Sequence, residues 1–155
     1  MTAIKRITHR ALLLIISLLT LSCAGKRPQN LGVLDEGFTP CPSTPNCVSS
    51  DAADVAHNVL SYQFDMKPDQ AWQIAREMLL KLPRTRIVKE SPGYLHAECE
   101  SGFFGFVDDF EIHLRADVTA IAVRSASRLG KSDFGVNKNR VEQLRTLLLN
   151  KGFVR

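Results

Sequence analysis

The feature that most constrains the fold is a change of sequence period along residues 59–155. Residues 59–64 have the composition of a strand, and four alternating segments follow between residues 86 and 127. Apolar residues recur with helical spacing after Pro68 and again after Asn137. Side chains alternate across a strand but return to one face of a helix about every 3.6 residues, so the pattern predicts the order β-α-β-β-β-β-α.

This element order predicts a single α+β domain in which an antiparallel sheet packs on helices. In element order alone it is analogous to helix-grip and TATA-binding-protein-like folds, which wrap such a sheet around a long C-terminal helix. A curved sheet of this kind can enclose an apolar cavity. For a domain this small, a solidly packed core is the favoured alternative.

The same periods assign side chains to the core or to solvent. Pro68 opens the first helix, and Asn137 is predicted to cap the last one. In the strand after residue 93, Cys99 falls on the core face, whereas His96 and Glu98 fall on a face expected to be solvated. The predicted core residues are Ala71, Ala75, Met78, Leu79, Leu82, Leu95, Ala97, Phe106, Phe110, Ile112, Leu114, Val141, Leu144 and Leu148.

The N-terminal residues have the organisation of an export signal. Three basic residues, Lys5, Arg6 and Arg10, and no acidic one precede an apolar run over residues 11–21. A helix of about 11 residues at about 1.5 Å each is much shorter than the roughly 30 Å hydrocarbon core of a bilayer. The segment therefore predicts a signal peptide over residues 1–22 rather than a transmembrane helix.

The end of this segment, Thr20-Leu-Ser-Cys23, resembles the lipobox of bacterial lipoproteins, in which a small residue precedes a cysteine that is acylated. The resemblance departs at Thr20, where an aliphatic residue is usual. It predicts lipidation of Cys23, with ordinary secretion as the alternative, and several acyl chains would make the anchor effectively permanent. Because Ala24 and not an aspartate follows the cysteine, the resemblance implies the outer membrane, facing the periplasm.

The charge balance argues against a nucleic-acid partner. The chain has 20 Lys and Arg against 16 Asp and Glu, with a pI near 9.0. Loss of the signal peptide removes three basic residues and no acidic one, which leaves 17 against 16. Much of the basicity therefore belongs to targeting. The predicted partners are the membrane, through the lipid anchor, and an envelope protein or lipid.

Composition divides the rest of the chain into three parts. Residues 23–40 are rich in glycine, proline and polar residues, which predicts a lipidated N-terminus followed by a linker. Residues 41–58 form a Cys- and Pro-rich lead-in, and residues 59–155 form the α+β domain.

Two cysteines of the lead-in, Cys41 and Cys47, are candidates for a disulfide. Five residues separate them in a proline-stiffened turn, and an oxidising periplasm would let them pair; two free thiols are the alternative. Closing so short a loop is expected to contribute about 2 kcal/mol. The spacing does not suit a redox pair, and the neighbourhood lacks further zinc ligands, so neither a metal nor a cofactor is predicted.

The densest polar stretch, residues 124–140, predicts a binding site for an anion or a partner. Its cations and hydroxyls lie near the N-terminus of the last helix, whose free N–H groups attract anions. A structural role is favoured over this binding site: Arg124 and Arg128 are expected to pair with aspartates and hold the loop against the sheet. Asp108 falls on the core face and must find a cationic partner in any case. The candidate binding residues are Arg124, Ser125, Ser127, Arg128, Ser132, Asn137 and Arg140, and the aspartates are Asp108, Asp109 and Asp133.

No catalytic residue is predicted. His96, Glu98 and Asp109 come nearest to an acid and base set. They define the alternative function, a hydrolase or transferase acting on cell-envelope material. That function would require the three side chains to converge in one cleft.

Four segments together resemble a known bacterial family. They are residues 40–50, Tyr94-Leu-His-Ala-Glu98, Phe104-Gly-Phe-Val-Asp-Asp109 and residues 123–140. In this order they resemble the domain of unknown function 1499 family over about residues 31–150, whose members are often lipoproteins or membrane-associated. The resemblance implies no catalytic residues. The predicted function is a membrane-tethered periplasmic lipoprotein that acts as a non-enzymatic binding or interaction module for an envelope partner, a lipid or a small anionic ligand.

Overall fold

The computed structural model describes residues 24–34, 37–102 and 105–154, so the predicted signal peptide and Cys23 lie outside the described residues. Two α-helices, one short 3-10 helix (Ala116–Val118) and eight strands are present within these ranges. The strands are β1 (Val33–Leu34), β2 (Gly37–Phe38), β3 (Cys47–Ser49), β4 (Tyr62–Gln63), β5 (Thr85–Ser91), β6 (Tyr94–Glu100), β7 (Val107–Arg115) and β8 (Ala120–Ser127), and the helices are α1 (Pro68–Leu79) and α2 (Val136–Leu149).

Six strands form one antiparallel sheet, five of them in the order β3-β8-β7-β6-β5. β4 pairs with the first residues of β8, whereas β3 pairs with its last residues, so the two short strands share one edge. β1 and β2 form a separate small hairpin. The prediction of an α+β domain with an antiparallel sheet packed on helices is confirmed.

One face of the sheet packs against both helices and forms the main core. Pro68 takes the first position of α1, where its fixed φ suits a helix and its missing N–H is not needed. The predicted alternation along β6 and β7 holds, since Cys99, Phe110 and Ile112 are fully buried on this face. Phe106, predicted to be a core residue, precedes the first residue of β7 and is 42% exposed.

The domain begins earlier than the predicted boundary at residue 59. β3 pairs with β8 through Val48 and Ser125, and the predicted disulfide between Cys41 and Cys47 is confirmed next to this pairing. All three residues of β3 are buried. A strand this short has no readable alternation, which is why its sequence suggested only a lead-in.

Residues 24–34 pack across the second face of the sheet, although their composition predicted a linker. Arg27 Nε donates to Glu98 Oε1 at 2.9 Å, and the Gly32 N–H donates to Glu111 Oε1 at 2.7 Å. A polar segment has the same composition whether its hydrogen-bonding groups are satisfied by water or by a polar protein surface. Only the structure therefore reveals this contact. We call residues 24–34 the N-terminal strap.

Candidate functional site

The second face of the sheet carries a network of charged side chains that is almost completely buried. In the sheet register His96 lies opposite Glu111, Glu98 opposite Asp109, and Glu111 opposite Arg124. None of these five residues exposes more than 6% of its surface. The expectation of a solvated face at His96 and Glu98 is wrong, because the N-terminal strap covers it. We call these five residues and Arg128 the charged face.

Arg128 connects two carboxylates of the charged face. Its Nε donates to Asp109 Oδ2 at 2.9 Å, and its Nη2 lies 2.6 Å from both Asp109 Oδ1 and Glu98 Oε1. His96 Nε2 lies 2.8 Å from Asp109 Oδ1. The side chain of Arg128 is only 5% exposed. The structural role is therefore confirmed for Arg128, which holds the start of the loop against the sheet.

Glu111 forms the second centre of the charged face. Its carboxylate accepts hydrogen bonds from Arg124 Nη1 at 2.9 Å, from the Tyr94 hydroxyl at 2.8 Å and from the Gly32 N–H at 2.7 Å. Arg124 was expected to pair with an aspartate, and this expectation is wrong. The register of β7 and β8 places Glu111 directly opposite Arg124, so the glutamate is the nearest acid.

The ion pairs keep the two Arg128-bound carboxyls ionised. Burial raises the pKa of Glu98, but hydrogen bonds from Arg128 and Arg27 outweigh this effect and leave the pKa below its ordinary value. At Asp109 burial also raises the pKa, and hydrogen bonds from Arg128 and His96 again lower it overall. The hydrogen bond to Asp109 raises the pKa of Arg128. Because an effective general acid or base needs a pKa near the working pH, these groups are shifted away from that role.

We expect the free energy of unfolding to fall on acidification. A carboxyl with a lowered folded-state pKa stabilises the protein fully above its unfolded-state pKa near 4, and this contribution is lost as the pH falls through the lower folded-state value. Urea unfolding at several values from about pH 7 to about pH 2 measures the effect. An unfolding free energy that stays constant, or rises, toward low pH would contradict this prediction.

A second polar cluster lies on the opposite, helix-facing side, at the start of α2. Asn137 is fully buried, and its Nδ2 donates to the Asn46 carbonyl, Ser127 Oγ and Asp133 Oδ2 at 3.1, 2.8 and 2.9 Å. Its Oδ1 accepts hydrogen bonds from Ser125 and Arg140. Asn137 thus joins β8, α2 and the segment before β3.

The prediction that Asn137 caps α2 is wrong. Gly135, with φ near +80°, occupies the capping position and has no side chain with which to cap the helix. Asp133 accepts hydrogen bonds from the Gly135 and Asn137 N–H groups at 3.0 and 2.8 Å. The helix N-terminus therefore already holds a carboxylate of the chain itself, which takes the place predicted for an external anion.

The sheet separates the seven candidate binding residues. Strand alternation places Arg124 and Arg128 on the charged face, whereas Ser125, Ser127, Asn137 and Arg140 lie on the helix-facing side and Ser132 lies in the loop. Arg140 lies 2.9 Å from Asp108, which satisfies the expectation that Asp108 finds a cationic partner. All three candidate arginines thus have carboxylate partners, and the structure does not bring the seven residues into one site.

The loop from Ser127 to Val136 forms one wall of an apolar groove of about 430 Å³. Phe134 is 96% exposed, and Leu129, Phe106 and Val136 are each between 42% and 44% exposed. We call this feature the loop groove. Its only charged lining residues in the described chain are Asp108 and Asp133. Sequence reasoning missed it because its apolar residues follow no regular period within a polar stretch.

The described residues provide neither a metal centre nor a membrane span. No three of their His, Cys, Asp or Glu side chains are grouped so that they could hold a metal ion. Across the same ranges, no helix combines the length and apolar character needed to cross a bilayer.

Fold and site together define a small α+β protein with one sheet face closed by internal ion pairs and an apolar groove at the end of β8. The chain belongs to the family described as "Protein of unknown function (DUF1499)", which matches residues 37–148. This match begins at β2 and therefore includes the short strands before residue 59. No curated protein and no solved structure matches the chain.

Proposed function

We propose that this protein is a lipid-anchored component of the bacterial envelope that works as a non-enzymatic binding module through the loop groove. The observation that carries the proposal is the contrast between two surfaces. The ionisable groups of the charged face are paired with one another and covered, whereas apolar side chains of the loop groove are exposed. Exposed apolar clusters on soluble domains commonly mark binding surfaces.

The lining of the loop groove favours an apolar or amphiphilic ligand over a small anion. Leu129, Phe134 and Val136 supply apolar surface. The charged lining residues, Asp108 and Asp133, are already engaged by Arg140 and by the N–H groups at the start of α2, and no described lining residue is a cation that could hold a small anion. The ligand class that fits these walls is an acyl chain or an apolar protein side chain, as expected for an envelope lipid or an envelope partner.

The second candidate function is a hydrolase or transferase acting on envelope material, and one observation favours it. His96, Glu98 and Asp109 converge, since His96 contacts Asp109 at 2.8 Å and Arg128 bridges Asp109 to Glu98. They meet beneath the strap and outside the loop groove, with exposures of 2%, 4% and 1%. A substrate could reach them only after the strap had moved, so we rank this candidate second.

Replacing Cys23 with serine is expected to abolish lipid attachment. The thioether that carries the lipid forms on the Cys23 thiol, and serine has no thiol, so the variant lacks this anchor. Cells grown with labelled palmitate should incorporate label into the wild-type chain but not into C23S, and C23S should leave the membrane fraction when its signal is cleaved.

The matched control is Cys99→Ser, which removes a thiol that is fully buried in the core. This variant should keep the palmitate label at the wild-type level. Equal labelling of C23S and the wild-type chain would overturn the lipid-anchor proposal, and loss of label in both variants would show that the effect is not specific to position 23.

A further inference from the structure

The start of the N-terminal strap lies directly against the loop groove. Gly25 has a φ of +65° and approaches the two residues that follow β8 so closely that a Cβ atom there would lie 2.9 Å from Arg128 Cβ and 3.0 Å from Leu129 Cγ. Leu129 is also a lining residue of the groove. The chain therefore arrives at the domain beside the groove and not at a distant surface.

The strap leaves very little free chain between this point and Cys23. Arg27 is held by its ion pair with the buried Glu98. Only four peptide units join Cys23 to Arg27, so their Cα atoms are at most about 14 Å apart. A lipid on Cys23, as the proposed function requires, would start next to Gly25 and would hold this side of the domain against the bilayer.

The surface at this place has the composition of a membrane-contacting surface. Phe134 and Leu129 project apolar groups, and the φ of Phe134 is +53°, a left-handed conformation that a large side chain rarely adopts. Lys26, Lys131 and Lys138 are exposed, and no ion pair joins them to another described residue. Apolar residues flanked by free lysines match the acyl boundary and the anionic head groups of a phospholipid leaflet.

We propose that the loop groove faces the leaflet that holds the lipid anchor, and that Phe134 and Leu129 insert into its acyl boundary. The inference rests on the proposed lipid anchor and identifies the ligand of the groove as phospholipid. The domain then lies on the membrane with the loop groove against the leaflet. Without a linker, it does not extend into the periplasm on a free tether.

Depth-dependent fluorescence quenching tests the orientation. The full lipidated chain is reconstituted into vesicles of phosphatidylethanolamine and phosphatidylglycerol, with or without acyl-brominated phospholipid, and floated on a density gradient. Phe134→Trp places a reporter at the exposed position. The matched control, Val118→Trp, places one at an exposed residue in the turn at the other end of β8, a strand that is about 23 Å long from Ala120 to Ser127 at about 3.3 Å per residue.

We expect brominated lipid to lower the fluorescence of the tryptophan introduced in F134W by about half, because an inserted side chain lies about 5–10 Å into the interface. V118W should be quenched no more than the wild-type chain, which has Trp72 as its single tryptophan. The tryptophan of Val136→Trp, which lies on the same groove, should be quenched as well. This second variant tests the orientation even if the substitution at position 134 rearranges the loop. If the protein floats with the vesicles but the tryptophan is quenched in neither F134W nor V136W, the proposed orientation is wrong, and the lipid-anchor proposal is unaffected. Protein that does not float would overturn the anchor and, with it, this inference.

Discussion

Replacing Arg128 with methionine is expected to destabilise the domain by about 3–5 kcal/mol, the largest effect we foresee for a single substitution. Methionine keeps much of the length of the side chain but removes the only described cation that joins Glu98 to Asp109. Asp109 is 1% exposed and would keep only the His96 imidazole as a side-chain partner. Urea unfolding at neutral pH measures the loss, and thermal unfolding should show a midpoint lower by about 10–20 °C.

Arg86→Met is the matched control for this prediction. Arg86 pairs with the same Glu98, but its side chain is 72% exposed, so its removal should cost less than about 1 kcal/mol. The difference in unfolding free energy between R128M and the wild-type chain should also become smaller toward low pH, because a protonated carboxyl no longer needs a cation. Equal losses in the two variants, or a deficit that grows on acidification, would show that burial of the Arg128 pairs is not what stabilises the sheet.

Replacing Asn137 with alanine is expected to cost about 2–4 kcal/mol. The amide is fully buried and hydrogen-bonds to five residues on three parts of the chain. Alanine is a better helix former, so the loss cannot be attributed to helix propensity. The buried Ser125 hydroxyl would lose its acceptor, and the buried Asn46 carbonyl would keep only the Ser127 N–H as a donor. Urea unfolding measures the change.

Asn139→Ala provides the comparison within the same helical turn. Asn139 is exposed, and its backbone N–H donates a hydrogen bond to the Gly135 carbonyl. The substitution should change the free energy of unfolding by less than about 0.5 kcal/mol. If N139A and N137A were equally destabilised, the side-chain network around Asn137 would not explain the loss.

The two helices and the four long strands could be predicted because their signals are local. In α1 and α2 the predicted core positions, such as Ala75 and Leu144, lie on one buried face. In β6 and β7 the alternation places Cys99 and Phe110 inward. Such periods follow from backbone geometry, so they do not depend on which other element packs against them.

The capping of α2 shows where local reasoning ends. Asparagine is a common capping residue, and Asn137 precedes the apolar positions of the helix, so its sequence context favoured that role. In the structure the buried carbonyl of Asn46 and the hydroxyl of Ser127 hold the Asn137 amide, and the carboxylate of Asp133 accepts an N–H at the start of the helix instead. Asn46 is 91 residues away in sequence, a contact that no local pattern reveals.

The sequence by itself determined the class of fold, the order of its main elements, the two faces of the long strands and the family, and it favoured the Cys41–Cys47 disulfide over two free thiols. These follow from periodicity, from short covalent spacing and from motifs in a fixed order. Only the tertiary structure decided the partners of the arginines, the cover over the charged face and the position of the loop groove. These features depend on strand register and on contacts such as Arg27 with Glu98, 71 residues apart. A strand pattern states which side of the sheet a residue faces, but the residue's environment is set by the segment that packs on that side.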